Sequence, residues 1–267
     1  SEFDSAGGEP FGVVIGDYEI TNACSAGTVY NDIDTIKEIS RTAAAAFAPF
    51  ICSASPNLFG ADYFSDLGYY SDLFNHFEQP EYVKWQSFRK MEEARFVGFT
   101  LPHILVRPPY SNDGKRHQDF YFKEQIIDPE TDMLWGNASY QFVSTIIRAY
   151  CESGWFGHIR GIEPGKISKG LVTGLARAKP PLNLLVTSKF EKQFSELGFI
   201  PASSVTNTEH VVFYSNASVQ KTKNYDSSAA NINARLSSML QYILCVSRFA
   251  HYLKLLARDR VGSYISA

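Results

Sequence analysis

The chain has 267 residues, is 45% hydrophobic and 14% aromatic, and sets 25 Lys/Arg against 28 Asp/Glu for a formal charge of −3. That is enough apolar material for a substantial core in one large or two small domains, and it excludes a disordered chain. Its longest nearly apolar run, Ala43–Cys52, is ten residues with Pro49 inside, against about 20 for a membrane span, and the opening SEFDSAGGEP lacks the basic start and apolar stretch of a secretory signal. No direct membrane insertion and no export are expected, and a cytoplasmic location fits.

In chain order, Phe11–Ile15 is a short apolar run that predicts a buried strand. Asp34 is placed to cap a helix over Thr35–Phe47, with Ile36, Ile39, Ala43 and Phe47 on one face and Pro49 ending it. Phe50–Ala54 predicts the next strand, closed at once by a Ser-Pro-Asn turn. Glu81–Arg89 predicts a helix with Val83 and Phe88 inward, and Phe96–Leu101 a strand that runs into Pro102 and Pro108-Pro109. Residues Ser111–Asp132, polar and charged around Asn112-Asp113-Gly114, are the candidate projecting insertion. Asn137 looks like the cap of a helix over Ala138–Glu152, with Gly154 where it should stop. Trp155–Arg160, Leu182–Val186 and Val211–Tyr214 read as strands, and Ser188–Leu197 as a helix ended by Gly198. With a long helical pattern over Ala230–Ser266, the whole predicts a single α/β domain over residues 1–267: a mixed sheet with helices packed against it and a long C-terminal helix.

That last helix carries the sharpest chemical contrast. Phe249, Leu253 and Leu256 form one stripe, expected to be buried, while Arg248, His251, Lys254 and Arg258 fall largely together on another face. Residues 215–267 hold seven Lys/Arg against two Asp/Glu, whereas the preceding 214 hold 18 against 26, a formal charge of −8. Such segregation suggests a surface with a designated partner, with an ordinary solvated helix face as the plain alternative. Lys221, Lys223, Arg235, Arg248, Lys254, Arg258 and Arg260 are also a conceivable phosphate-binding set. Against nucleic acid stand a sequence pI of about 6.1 and no exposed aromatics interleaved with the basic residues for base stacking.

Local catalytic motifs are missing: there is no C-x-x-C, H-E-x-x-H, G-x-x-x-x-G-K-[ST] or G-x-S-x-G. Gly7-Gly8-Glu9-Pro10 precedes a strand, the wrong place to cradle a phosphate. Asp17 and Glu19 with Asp32 and Asp34 are a conceivable hard-metal set, although Asp34 already serves as a cap. His103, His158, His210 and His251 are isolated in sequence, and Cys24, Cys52, Cys151 and Cys245 are scattered in mostly apolar contexts, as expected of reduced, buried thiols. No catalytic, cofactor or metal residue is therefore assigned. A cytoplasmic enzyme with a site assembled across the fold remains an alternative to a binding or structural role.

A collinear set of segments carries a resemblance. SRFAHYLKLLARDRVGS (Ser247–Ser263), GGEPFGVVIGDYEI (Gly7–Ile20), AAAAFAPFICSASPNLFG (Ala43–Gly60), PEYVKWQSFR (Pro80–Arg89), FVGFTLPHILVRPPY (Phe96–Tyr110), LWGNASY (Leu134–Tyr140), SGWFGHIRGIEPG (Ser153–Gly165), LGFIP (Leu197–Pro201) and SVQK (Ser218–Lys221) resemble, in order, the large sheath subunit of bacterial type VI secretion. The resemblance thins at Asn22–Asn31, Ser111–Asp132 and Lys166–Pro181, which read as surface loops. It implies a structural role. Such subunits pair with a small sheath subunit, and the heterodimers stack with further copies into a helical cylinder around an inner-tube protein above a baseplate. Contraction drives tube and spike out of the cell, and an ATP-driven unfoldase recycles the shortened form. It further implies that this chain is a central portion, without the family's N-terminal and C-terminal arms or its unfoldase-binding segment. Arg248, Lys254 and Arg258 become the candidate inner-tube contact.

Overall fold

The computed structural model describes residues 10–22, 31–111, 122–163, 166–167, 181–205 and 210–260. Gly7 to Glu9, Cys24, the Asn112-Asp113-Gly114 turn, most of Lys166–Pro181 and residues 261–266 of the expected helix lie outside the described residues. In chain order the elements are β1 (Val14–Ile20), α1 (Asp32–Ala46), β2 (Phe50–Ala54), α2 (Leu73–Phe77), α3 (Val83–Arg89), β3 (Val97–Leu101), β4 (Ile104–Leu105), α4 (Pro129–Asp132), β5 (Trp135–Gly136), α5 (Ala138–Ser153), β6 (Ile162–Glu163), β7 (Lys166–Ile167), α6 (Ser188–Glu196), β8 (Phe199–Pro201), β9 (Ser203–Ser204), β10 (Val211–Val212), α7 (Ser228–Ser237) and α8 (Leu240–Arg260).

The α/β class is as expected. The main sheet has strand order β1-β2-β3-β8 and is parallel throughout, while antiparallel pairing is confined to the two-stranded ribbons β4–β5, β6–β7 and β9–β10. β2 and β3 are buried at every position, which is why Phe-Ile-Cys-Ser-Ala and Val-Gly-Phe-Thr-Leu show no polar alternation. One face carries an aromatic layer in which Trp85 stacks on Phe199 at 5.4 Å and 9°, with Phe59, Phe77 and Phe194 packed edgewise or tilted around them. The other face packs Ile51 and Ile200 against Phe142, Ile146 and Ala149 of α5 and against Leu240 and Leu244 of α8.

Several local expectations shift. α1 begins three residues early because Asn31 caps it, its Oδ1 accepting from the Ile33 N–H at 2.7 Å, and Asp34 instead pairs with Lys84 at 2.5 Å. The inward residues of α3 are Trp85 and Phe88, while Val83 is 60% exposed. Asn137 does occupy the cap position of α5, but its side chain donates to Asp17 Oδ1 at 2.9 Å. Trp155–Arg160 forms turns, with Phe156 and Ile159 buried, and Leu182–Val186 is no strand: Leu182 makes one isolated bridge to Ile104 and the chain bends at Asn183-Leu184. The expected long helix is two: its chain breaks at Ser238-Met239, where Met239 bridges Ala217, and Leu240 N–H donates to the Asn216 carbonyl at 2.9 Å. Cys52 is buried, Cys245 half-buried and Cys151 exposed, so burial of the thiols holds only in part.

Two close fits fix these layers. Arg89, 8% exposed, donates from Nε to the Val219 carbonyl at 3.0 Å and from Nη2 to the Glu196 carbonyl at 2.8 Å, tying α3 to the end of α6 and the 219 segment. Burial lowers its pKa to about 10, so the guanidinium stays charged at neutral pH. Gly98 in β3 lies beneath α8, where an added Cβ would stand 2.6 Å from Leu240 Cδ1, 2.9 Å from Ile200 Cδ1 and 3.0 Å from Ile51 Cδ1. Gly98→Ala should therefore cost about 1–3 kcal/mol through overpacking. In a Leu240→Ala background part of that cost should vanish, as a double-mutant cycle by urea denaturation would measure. An equal cost in both backgrounds would remove Leu240 as the obstruction.

Candidate assembly surface

α8 docks with its faces opposite to the sequence expectation. Its buried residues are Leu240, Ile243, Leu244, Ser247 and His251, spaced i, i+3, i+4, i+7, i+11. Phe249 and Leu253, expected inside, are 63% and 50% exposed, and they align with Tyr242 and Val246, at 48% and 42%, in one outward stripe. The periodicity of the apolar residues is real, but it marks the side that faces away from the domain.

Of the basic set only His251 turns inward, while Arg248 is half-buried and Lys254 and Arg258 are exposed. His251 is 2% exposed, and its Nε2–H donates at 2.9 Å to the carbonyl of Ala46 at the C-terminal end of α1. Phe47 follows in the left-handed region (φ 51°, ψ 37°), and its ring meets His251 edge-on while Lys254 Nζ stands 4.6 Å from the ring centroid. Arg248 Cζ lies 5.7 Å from the Tyr150 ring of α5. Arg258, exposed in the last turn, donates from Nε to Asp259 at 3.1 Å. Lys221, Lys223 and Arg235 line a cleft elsewhere, so the basic C-terminal segment does not form one stripe.

The carboxylates considered as a metal set find separate partners. Asp17 takes Asn137, Glu19 takes His103 at 2.6 Å, Asp32 accepts from Thr21 N–H and Oγ1 at 3.0 and 2.7 Å, and Asp34 takes Lys84. Among the described residues no group of three or more His, Cys, Asp or Glu could hold a metal ion. His103 is thus within reach of a carboxylate, with Asn183 Nδ2 at 3.3 Å from its other ring nitrogen and Phe64 edge-on at 4.8 Å. The pair sits in an open groove with Asp17, Asn137 and Tyr140, where it links β1 to the turn after β3. No helix among the described residues is long and apolar enough to cross a membrane.

A helix that holds a domain with one face and turns an apolar stripe outward with the other presents a candidate protein-contact surface. A family model described as "EvpB/VC_A0108, tail sheath N-terminal domain" matches residues 1–220, and one described as "EvpB/VC_A0108, tail sheath gpW/gp25-like domain" matches residues 229–267. The chain belongs to this tail sheath family. The type VI secretion system sheath protein TssC1 of Pseudomonas aeruginosa is 33% identical over 271 residues, which cover 98% of this chain and 53% of that relative. The chain therefore spans about half the length of the curated relative it matches.

The docking of α8 carries a pH dependence. Burial first, then the nearby Arg248 and Lys254 charges, lower the His251 pKa below its ordinary value, against the opposing pull of the Ala46 carbonyl. The neutral ring is thus the folded form. Its contribution to stability is complete above about pH 6.5, the unfolded value, and is lost as the pH falls toward the depressed folded value. Urea midpoints between pH 7.5 and 5 should fall more steeply for the unaltered protein than for His251→Gln, and equal slopes would remove His251 as the titrating group.

Proposed function

We propose that the chain is a structural, non-enzymatic part of a contractile type VI secretion sheath. In this reading it pairs with a small sheath subunit, stacks with further copies into a helical sheath around the inner tube on a baseplate, and contracts to drive tube and spike out of the cell. The observation that carries the reading is the family match over residues 1–220 and 229–267. The outward apolar stripe of α8 supports it, because contiguous exposed apolar surface marks sites of protein contact. Identical head-to-tail contacts propagate into an open helix, which is how a globular domain becomes a cylinder. Contraction asks for interfaces with two discrete packings, each biased by a modest free energy that sums over many subunits. The cytoplasm is where such a sheath would stand, and an ATP-driven unfoldase would recycle it through a segment outside this chain. The His103–Glu19 pair is read as a tie between β1 and the turn after β3, and the basic helix as a protein contact without nucleic acid. Co-expression with the small subunit followed by negative-stain microscopy tests the whole: cogwheel-ended tubes are expected, and their absence with a soluble, folded heterodimer would count against the reading.

We further propose Arg248, Lys254 and Arg258 as the inner-tube contact at the far end of α8. Two of them also serve the subunit, since Arg248 and Lys254 each lie over a ring of the same chain. Cation–π contacts at exposed sites contribute about 0.5–1 kcal/mol each. Reversing all three to Glu should therefore lower the melting temperature by a few degrees and also stop assembly around the tube. Arg258→Glu, with no ring contact of this kind, should spare melting and still weaken assembly. Tubes that form undiminished with both variants would exclude the contact.

A further inference from the structure

The basic residues that α8 does not use converge elsewhere. A cleft of about 410 Å³ is lined by Arg89, Arg160, Lys221, Lys223 and Arg235 against a single carboxylate, Glu196. Lys223 is paired with Glu92 at 2.8 Å, and Glu196 lies 4.0 Å from Lys192. Arg160 uses Nε on the Tyr214 carbonyl at 3.0 Å, and Arg89 is held by main-chain carbonyls alone. Among the described residues Arg89, Arg160, Lys221 and Arg235 make no ion pair. Four cations that make no ion pair among the described residues, facing one carboxylate in one concavity of a chain of net charge −3, make a surface that selects a negative partner.

A second observation narrows the chemistry. Asn216 lines the same cleft and is 4% exposed, yet neither its Oδ1 nor its Nδ2 has a hydrogen-bond partner among the described residues. A buried amide with both functions unused costs about 1–3 kcal/mol. A lone carboxylate accepts from Nδ2 and leaves Oδ1 unmatched. A peptide group offers one N–H and one C=O and matches both.

We propose that this cleft is the docking site for an acidic, extended segment of a neighbouring sheath subunit, whose main chain pairs with Asn216 and whose carboxylates meet Arg160, Lys221 and Arg235. The inference rests on the assembly reading above and adds where a neighbour binds and by what chemistry.

The probe is a fluorescently labelled hexaglutamate peptide, followed by anisotropy at 50 mM salt. Binding is expected, with at least tenfold weaker affinity in the triple variant Arg160→Gln, Lys221→Gln, Arg235→Gln at unchanged melting temperature. The control triple Arg248→Gln, Lys254→Gln, Arg258→Gln should bind as the unaltered protein does. Asn216→Ala should weaken the peptide severalfold. Absence of binding, equal losses in both triples, or displacement by phosphate at concentrations matching the peptide would each overturn the proposal, the last by making the cleft a small-anion pocket. Co-expressed with the small subunit, the unaltered chain should form tubes and the cleft triple should not. Tubes from both would overturn the cleft as an assembly contact while leaving the sheath reading intact. If neither forms tubes, the sheath reading fails, and retained peptide binding that the cleft triple abolishes would overturn the assignment of the occupant to a sheath subunit.

Discussion

A parallel sheet has to be covered on both faces, and this requirement organises the whole chain. Its strands bury side chains above and below, so each face needs a layer of its own. α1, α3, α6 and the aromatic cluster supply one, and α5 with the first turns of α8 supplies the other. Because α8 enters over Gly98 and reaches the end of α1 with His251 and Lys254, its last turns extend past the sheet. The candidate contact stripe, Tyr242, Val246, Phe249 and Leu253, is the outer face of the turns whose inner face is recruited for the core.

The same geometry explains why cations and aromatics gather where α8 crosses α1. The end of α1 presents unsatisfied carbonyls and a partial negative charge. His251 supplies a donor to one carbonyl, and Lys254 places its charge on the adjoining Phe47 ring. Phe47 adopts a backbone conformation uncommon for a non-glycine residue, and the contacts of its ring with Phe96 and His251 hold it there. A joint of this kind resists rotation about the helix axis, which keeps Tyr242, Val246, Phe249 and Leu253 pointing one way.

Much of the fold was legible in the residues, and the failures have physical causes. Phe50–Ala54, most of the β3 run and α5 from Asn137 to Gly154 stand out because apolar density and turn chemistry agree there. Phe199–Pro201 escaped as a strand because three residues ending in proline carry no period, and only the neighbouring β3 makes them part of a sheet. Val83 misled because β-branched residues in a short amphipathic segment do not disclose which flank holds the larger ring of Trp85. The case of α8 is more instructive. Periodicity established two faces correctly, but an apolar stripe has the same signature whether it meets its own domain or another surface. The cleft around Asn216 was only partly signalled: Lys221, Lys223 and Arg235 stood in the basic C-terminal set, but Arg89 and Arg160 join them only through tertiary packing.

The strand order bears on how the chain is made. β1, β2 and β3 come from the first 101 residues, but β8, which closes the far side of β3, is formed by residues 199–201. On a ribosome adding about 5–20 residues per second, the open edge of β3 waits roughly 5–20 s for its partner. During that interval Phe99 and Trp85 lack Phe199, and Arg89 lacks both carbonyls that hold it. The half-made domain is thus a strand-hungry intermediate in a crowded setting, and early capture by a chaperone or a partner subunit would protect it until residue 219 has left the exit tunnel.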